Sequence, residues 1–131
     1  MIFGIGTDIV RIPRIADSLA RYGERFAARI LTEAEMTVFA DLAQQAPFLA
    51  KRFAAKEAVA KALGTGFRNG LSLRDIGVGN DALGKPLLIF SQRTQQMLQK
   101  QGVGKSHLSL SDEREYAIAY VVLETANNKK C

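Results

Sequence analysis

Cysteine, histidine and tryptophan are almost missing from this sequence, and each shortage removes a class of chemistry. The one cysteine, Cys131, has no partner for an internal disulfide and cannot build a cysteine-rich metal site, which fits a reducing compartment. The one histidine, His107, has no second imidazole or nearby thiol with which to hold zinc. There is no tryptophan, and the other aromatics fall mainly at expected core positions, so the chain is poorly equipped to stack nucleobases. No apolar run approaches the roughly 20 residues of a membrane-spanning helix. The opening Met1-Ile2-Phe3-Gly4 lacks the basic start of a secretory signal, and a cytosolic location is expected. Neither a G-x-S-x-G elbow nor a Walker loop occurs, and no repeat or linker interrupts the chain.

What is present is 131 residues, 47% hydrophobic and 24% charged, enough for one core and one domain. A domain of this size buries only about two-thirds of its unfolded surface, which leaves apolar area for partner subunits. The net charge of +5 favours an acidic partner without distinguishing nucleic acid, a phosphorylated cofactor or an acidic protein. The basic pole is local: Arg11, Arg14, Arg21, Arg25 and Arg29 stand against only Asp17 and Glu24.

Residues 2–10 read as a strand ending near Asp8, followed by a helix over 13–22 that opens on Pro13 and stops at Gly23. Thr32 and Glu35 form a capping-box pattern opening a helix to about Leu42. The longest helical signal covers 47–63, with Gly64 as its stop, and 64–70 is a glycine-rich loop. Strands are expected at 76–78 and 86–90, a Ser91-capped helix to about Gln101, and a hairpin from 107–110 and 116–123. The tail 127–131 reads as frayed. Helices grouped early and strands late, after one N-terminal strand, indicate an α+β domain, with the long helix central and packed on an antiparallel sheet.

Several residues are candidates for chemistry. Asp8 ends a strand after Gly4-Ile5-Gly6-Thr7; it is either a turn cap or a ligand on a rigid strand, and the glycines would let a backbone or phosphate come close. Glu57 and Lys61 are four apart on the long helix; they form a surface ion pair, or else the carboxylate holds a hard cation while the lysine meets a phosphate. Gly64-Thr65-Gly66 is a helix stop or a wall against a nucleotide. The G-x-G-x-x-A match at 77–82 is dismissed, because Gly84 and Pro86 leave no room for the helix it needs. Arg14, Arg21 and Arg25 share a face only if the helix continues past Gly23.

Two separated segments, Gly4-Ile5-Gly6-Thr7-Asp8-Ile9-Val10 and Lys51-Arg52-Phe53-Ala54-Ala55-Lys56-Glu57-Ala58 running on through Lys61-Ala62-Leu63-Gly64-Thr65-Gly66, resemble the signature regions of the holo-acyl-carrier-protein synthase family of 4'-phosphopantetheinyl transferases. Leu83-Gly84-Lys85-Pro86 and His107-Leu108-Ser109-Leu110-Ser111-Asp112-Glu113 extend the resemblance nearly end to end. The resemblance implies a trimer of 4'-phosphopantetheinyl transferase domains with coenzyme A in clefts between subunits, serving fatty acid biosynthesis. Asp8 and Glu57 would ligate Mg²⁺. A carrier-protein serine would attack the β-phosphorus and expel adenosine 3',5'-bisphosphate, with Lys61 neutralising or protonating the leaving phosphate. Gly64, Thr65, Gly66, Lys85, Pro86 and His107 would contact coenzyme A, and Arg14, Arg21 and Arg25 would dock the acidic acyl carrier protein. Val10 stands where the larger monomeric relatives carry a further acidic ligand, and Phe53 stands where relatives carry tryptophan. Two rival classes make other predictions: a basic nucleic-acid-binding module would show steep salt dependence without magnesium, and a metal-dependent hydrolase would consume coenzyme A without a carrier.

Overall fold

The computed structural model describes residues 1–126; the expected frayed tail at 127–131, with Cys131, lies outside the described residues. The chain runs β1 (Ile2–Arg11), α1 (Ile12–Tyr22), α2 (Glu24–Ile30), α3 (Glu33–Ala40), α4 (Gln45–Leu63), a 3-10 turn (Leu73–Asp75), β2 (Ile76–Asn80), β3 (Pro86–Phe90), α5 (Gln92–Gln101), β4 (Val103–Asp112) and β5 (Tyr116–Thr125). This is the expected α+β arrangement. β1, β5 and β4 form one antiparallel sheet in that order, so the first strand pairs with the last, while β2 and β3 form a separate antiparallel pair. Among the described residues, no helix is long and apolar enough to cross a membrane.

β5 alternates as a half-buried central strand should: Ala117, Ala119, Val121 and Leu123 are fully buried, while Tyr116, Ile118 and Tyr120 face outward. The buried face meets α4, whose Ala54, Ala55, Ala58 and Ala62 leave so little side-chain bulk that the helix lies close on the sheet. A second core gathers Ile12, Ile15, Ile30, Leu31, Phe39 and Leu49 beneath α1, α2 and α3. Standing between the two cores, α4 is buried on several sides, not along a single stripe.

Local signals explain most element ends. Thr32 Oγ1 accepts from the Glu35 N–H and Glu35 Oε1 from the Thr32 N–H, completing the expected capping box. Gly64 and Gly102 end α4 and α5 in left-handed conformations. The helical segment after Gly23 was not expected. Gly23, at φ +65°, closes α1 and at once opens α2, so Arg14 and Arg21 lie on one helix and Arg25 on another. The continuous face that would have carried all three does not exist.

Candidate functional site

Gly4 and Gly6 determine how β1 meets α4. A Cβ on Gly4 would stand 2.0 Å from the Ala62 carbonyl oxygen, and one on Gly6 would stand 2.0 Å from that of Ala58. The two glycines therefore let the strand backbone lie directly on the helix backbone. Asp8 follows on the same face of the pleat, since alternate residues share a face, and is brought against the C-terminal half of α4. Gly6→Ala is expected to cost about 3 kcal/mol by overpacking and to displace Asp8. Chemical denaturation checks this; an unchanged midpoint would show that the strand can give way.

Lys61 Nζ donates to Asp8 Oδ1 and to the Thr7 carbonyl, each at 3.0 Å. The i,i+4 expectation of a Glu57–Lys61 pair is thus corrected: once β1 is in place, the lysine bonds across to the strand. Asp8 is only 15% exposed in this pair and Lys61 is 55% exposed. Glu57 shares a cleft of about 410 Å³ with Asp8, Arg11, Arg14, Phe53 and Ser18. Its carboxyl is pushed above the ordinary carboxylate range, first by burial and then by the charge of Asp8, with Lys61 offsetting part of the rise. Asp8 and Glu57 thus face the cleft together, with Lys61 bonded to Asp8 and with Arg11 and Arg14 on the same walls.

An all-oxygen donor pair suits Mg²⁺, which keeps several waters and takes further oxygens from a phosphate. Among the described residues no group of three or more His, Cys, Asp or Glu side chains could hold a metal alone. A hard ion bound at this cleft would therefore rely on substrate and water for its remaining ligands.

The other expected site residues are spread more widely. Gly64, Thr65 and Gly66 continue from the Lys61 turn, with the Gly66 N–H bonded to the Ala60 carbonyl at 3.3 Å, but they do not line the Asp8 cleft. Lys85 and Pro86 lie at the β2–β3 turn, where the Lys85 N–H donates to Asp81 Oδ1. His107, on β4, meets Glu124 at 2.6 Å and helps hold that carboxyl below its ordinary range. Within one chain these three are not brought together with Asp8 and Glu57. Arg14 lines the cleft, Arg21 lies 6.0 Å from the Tyr22 ring, and Arg25 lines a separate groove.

Sequence reasoning missed Lys56. Fully buried, it donates to Glu35 Oε1 at 2.7 Å and to the Ile30 carbonyl at 2.6 Å, while Glu35 Oε2 accepts from the Val78 N–H at 2.7 Å. These bonds fasten α4, beside Glu57, to α2, α3 and β2. Arg52 was missed too: it stacks 4.0 Å from the Phe48 ring, with Nε buried and unpartnered among the described residues.

Comparison with known proteins is consistent with this geometry. The family profile described as the 4'-phosphopantetheinyl transferase superfamily matches residues 4–121. A holo-[acyl-carrier-protein] synthase of Vibrio parahaemolyticus serotype O3:K6 is 56% identical over 124 residues, 95% of this chain and 98% of that protein. The crystal structure of a holo-[acyl-carrier-protein] synthase from Neisseria meningitidis superposes with a TM-score of 0.91 at 48% identity, over 95% of this chain and 100% of that one. One from Bacillus anthracis in complex with CoA (3',5'-ADP) superposes with a TM-score of 0.81 at 44% identity, over 96% and 99%.

Proposed function

Because the chain belongs to the holo-[acyl-carrier-protein] synthase family of the 4'-phosphopantetheinyl transferase superfamily, we propose that it moves 4'-phosphopantetheine from coenzyme A to a serine of an apo acyl carrier protein. The observation that carries this reading is the meeting of Asp8, Glu57 and Lys61 where β1 crosses α4. The serine oxygen attacks the β-phosphorus as its proton passes to a carboxylate of the cleft or to water, the bond from that phosphorus to the bridging oxygen breaks, and adenosine 3',5'-bisphosphate departs. Asp8 and Glu57 would hold Mg²⁺, which when bound would supply Lewis-acid stabilisation of charge on the diphosphate. The Lys61 ammonium, fixed by Asp8 and the Thr7 carbonyl, neutralises or protonates the leaving phosphate. The product serves fatty acid biosynthesis in the cytoplasm.

The active form in this reading is a homotrimer. Ile5, Ile9, Ile118 and Tyr120 are 54%, 60%, 40% and 47% exposed on the outer side of β1 and β5, and Ile9 pairs with Ile118 in register. An apolar patch of this kind favours association. Gly64, Thr65, Gly66, Lys85, Pro86 and His107 then reach coenzyme A around a cleft that one chain leaves incomplete. Ile9→Asp should convert the trimer to monomer in sedimentation; a monomeric parent protein would reject the assembly.

Arg14, Arg21 and Arg25 meet the acidic carrier. Charge reversal at Arg14 or Arg21 should raise the KM for the carrier roughly tenfold, more than it alters that for coenzyme A. Steady-state kinetics with each substrate varied checks this, and an unchanged carrier KM would remove that surface.

The whole reading is tested by mixing the protein with Mg²⁺, coenzyme A and apo carrier, then weighing the carrier. A gain of the phosphopantetheine mass supports it. An unchanged carrier refutes it, and coenzyme A consumed without carrier would identify a hydrolase.

A further inference from the structure

The cleft that brings Asp8 and Glu57 together is rich in cations. Arg11 and Arg14 line it, and Lys61, one turn beyond Glu57 on α4, donates to Asp8 Oδ1 at 3.0 Å. Against the carboxylates of Asp8 and Glu57 stand the positive charges of Lys61, Arg11 and Arg14, so the cleft has no excess of negative charge with which to draw in a free divalent ion. Among the described residues, Lys61 is the cation bonded directly to one of these carboxylates.

Lys61 is held there by more than charge. Its ammonium also donates to the Thr7 carbonyl at 3.0 Å, an uncharged acceptor that keeps it beside Asp8 whatever else the carboxylate binds. An ammonium carries three N–H donors, so one remains beyond these two bonds, on a side chain that is 55% exposed. An ammonium and a divalent ion that share one carboxylate repel each other. A diphosphate changes that balance. Its anionic oxygens ligate the ion, as Mg²⁺ requires where a protein offers one or two carboxylates, and they also accept from the ammonium.

We infer that Lys61 makes metal uptake conditional on the diphosphate, so that the ion enters the Asp8–Glu57 cleft with coenzyme A and not ahead of it. This rests on the transferase function proposed for that cleft and adds an order of binding to it. Arg11 and Arg14 also oppose a cation, but among the described residues neither is ion-paired with Asp8 or Glu57, so the larger share of the opposition falls to Lys61. By linkage, the ion and coenzyme A tighten each other by one common factor, and that factor depends on the Lys61 charge.

The test compares Lys61→Gln, which removes the charge and keeps an N–H donor, with Lys61→Arg, which keeps the charge. Mg²⁺ is titrated by calorimetry into wild type and both variants, without and with coenzyme A. Without coenzyme A, Lys61→Gln should bind Mg²⁺ roughly tenfold more tightly than wild type, while Lys61→Arg stays close to wild type. The factor by which coenzyme A tightens Mg²⁺ should be large in wild type and in Lys61→Arg, and roughly tenfold smaller in Lys61→Gln. Lys61→Gln binding Mg²⁺ no more tightly than wild type overturns the inference, as does an equal coenzyme A effect in the two. Equal tightening in both variants also overturns it, because the shape of the side chain and not its charge would then be responsible. So does wild type that binds no Mg²⁺ even with coenzyme A. Failure of the transferase function itself looks different: the wild-type protein then adds no mass to the carrier, while the titrations still report whether Lys61 opposes the ion.

Discussion

Glu57→Ala and Asp8→Ala are each expected to lower the transfer rate on the order of 10³-fold while leaving a folded chain. Both carboxylates lie at one cleft, and in the proposed reaction removing either would leave too few protein oxygens to hold the ion beside the diphosphate. Glu57 offers a readout that a purely structural residue would not give. Burial and Asp8 raise its pKa in the folded state above the value it has unfolded. Its charge therefore costs stability at neutral pH, and that cost disappears below the ordinary carboxylate pKa, where both states are protonated. In metal-free buffer Glu57→Gln should melt higher than wild type at pH 7, and the gain should vanish as pH falls below about 4. Wild-type transfer rates in an alanine variant would remove that residue from the metal-holding role, and a Glu57→Gln protein less stable at neutral pH would show that burial does not penalise the Glu57 charge.

Lys56→Met is expected to destabilise the protein by about 3–5 kcal/mol, read from the denaturation midpoint. Burial is the largest influence on Lys56 and lowers its pKa despite the raising effect of Glu35, so the pair is not a strong net stabiliser. Breaking it is costly because Glu35 remains as a buried charge. Glu35→Leu/Lys56→Met should recover part of the loss. Recovery stays incomplete because the Thr32 and Val78 N–H groups then lose their acceptor. A single variant as stable as wild type would show that the buried pair is dispensable. What the pair provides is position: it holds the turn of α4 carrying Glu57 against α3 and β2.

Element boundaries were legible where a local rule acts. The Thr32–Glu35 box, the Gly64 stop and the alternation of β5 are each decided within a few residues, and each appears as expected. The partners of Lys56 and Lys61 were not legible, because they belong to segments distant in sequence. Helical spacing offered Lys61 only Glu57, whereas its partner Asp8 arrives through a strand that two glycines allow onto the helix. Lys56 stands among Ala54, Ala55, Ala58 and Val59, all buried, and that apolar setting was the available sign that it points inward. α2 was hidden because Gly23, a helix stop by ordinary chemistry, also begins the next helix. Asp8 and Glu57 were singled out by their motifs, but only the fold shows that β1 and α4 bring them to one cleft.

The central claim is that these two side chains together hold one divalent ion against a diphosphate, and the coupling between metal and coenzyme A tests it most directly. Coenzyme A is titrated into wild type and into Glu57→Gln by calorimetry, with and without Mg²⁺. Mg²⁺ should tighten binding to wild type and have little effect on the variant. Equal tightening in both proteins, or none in wild type, would contradict the account.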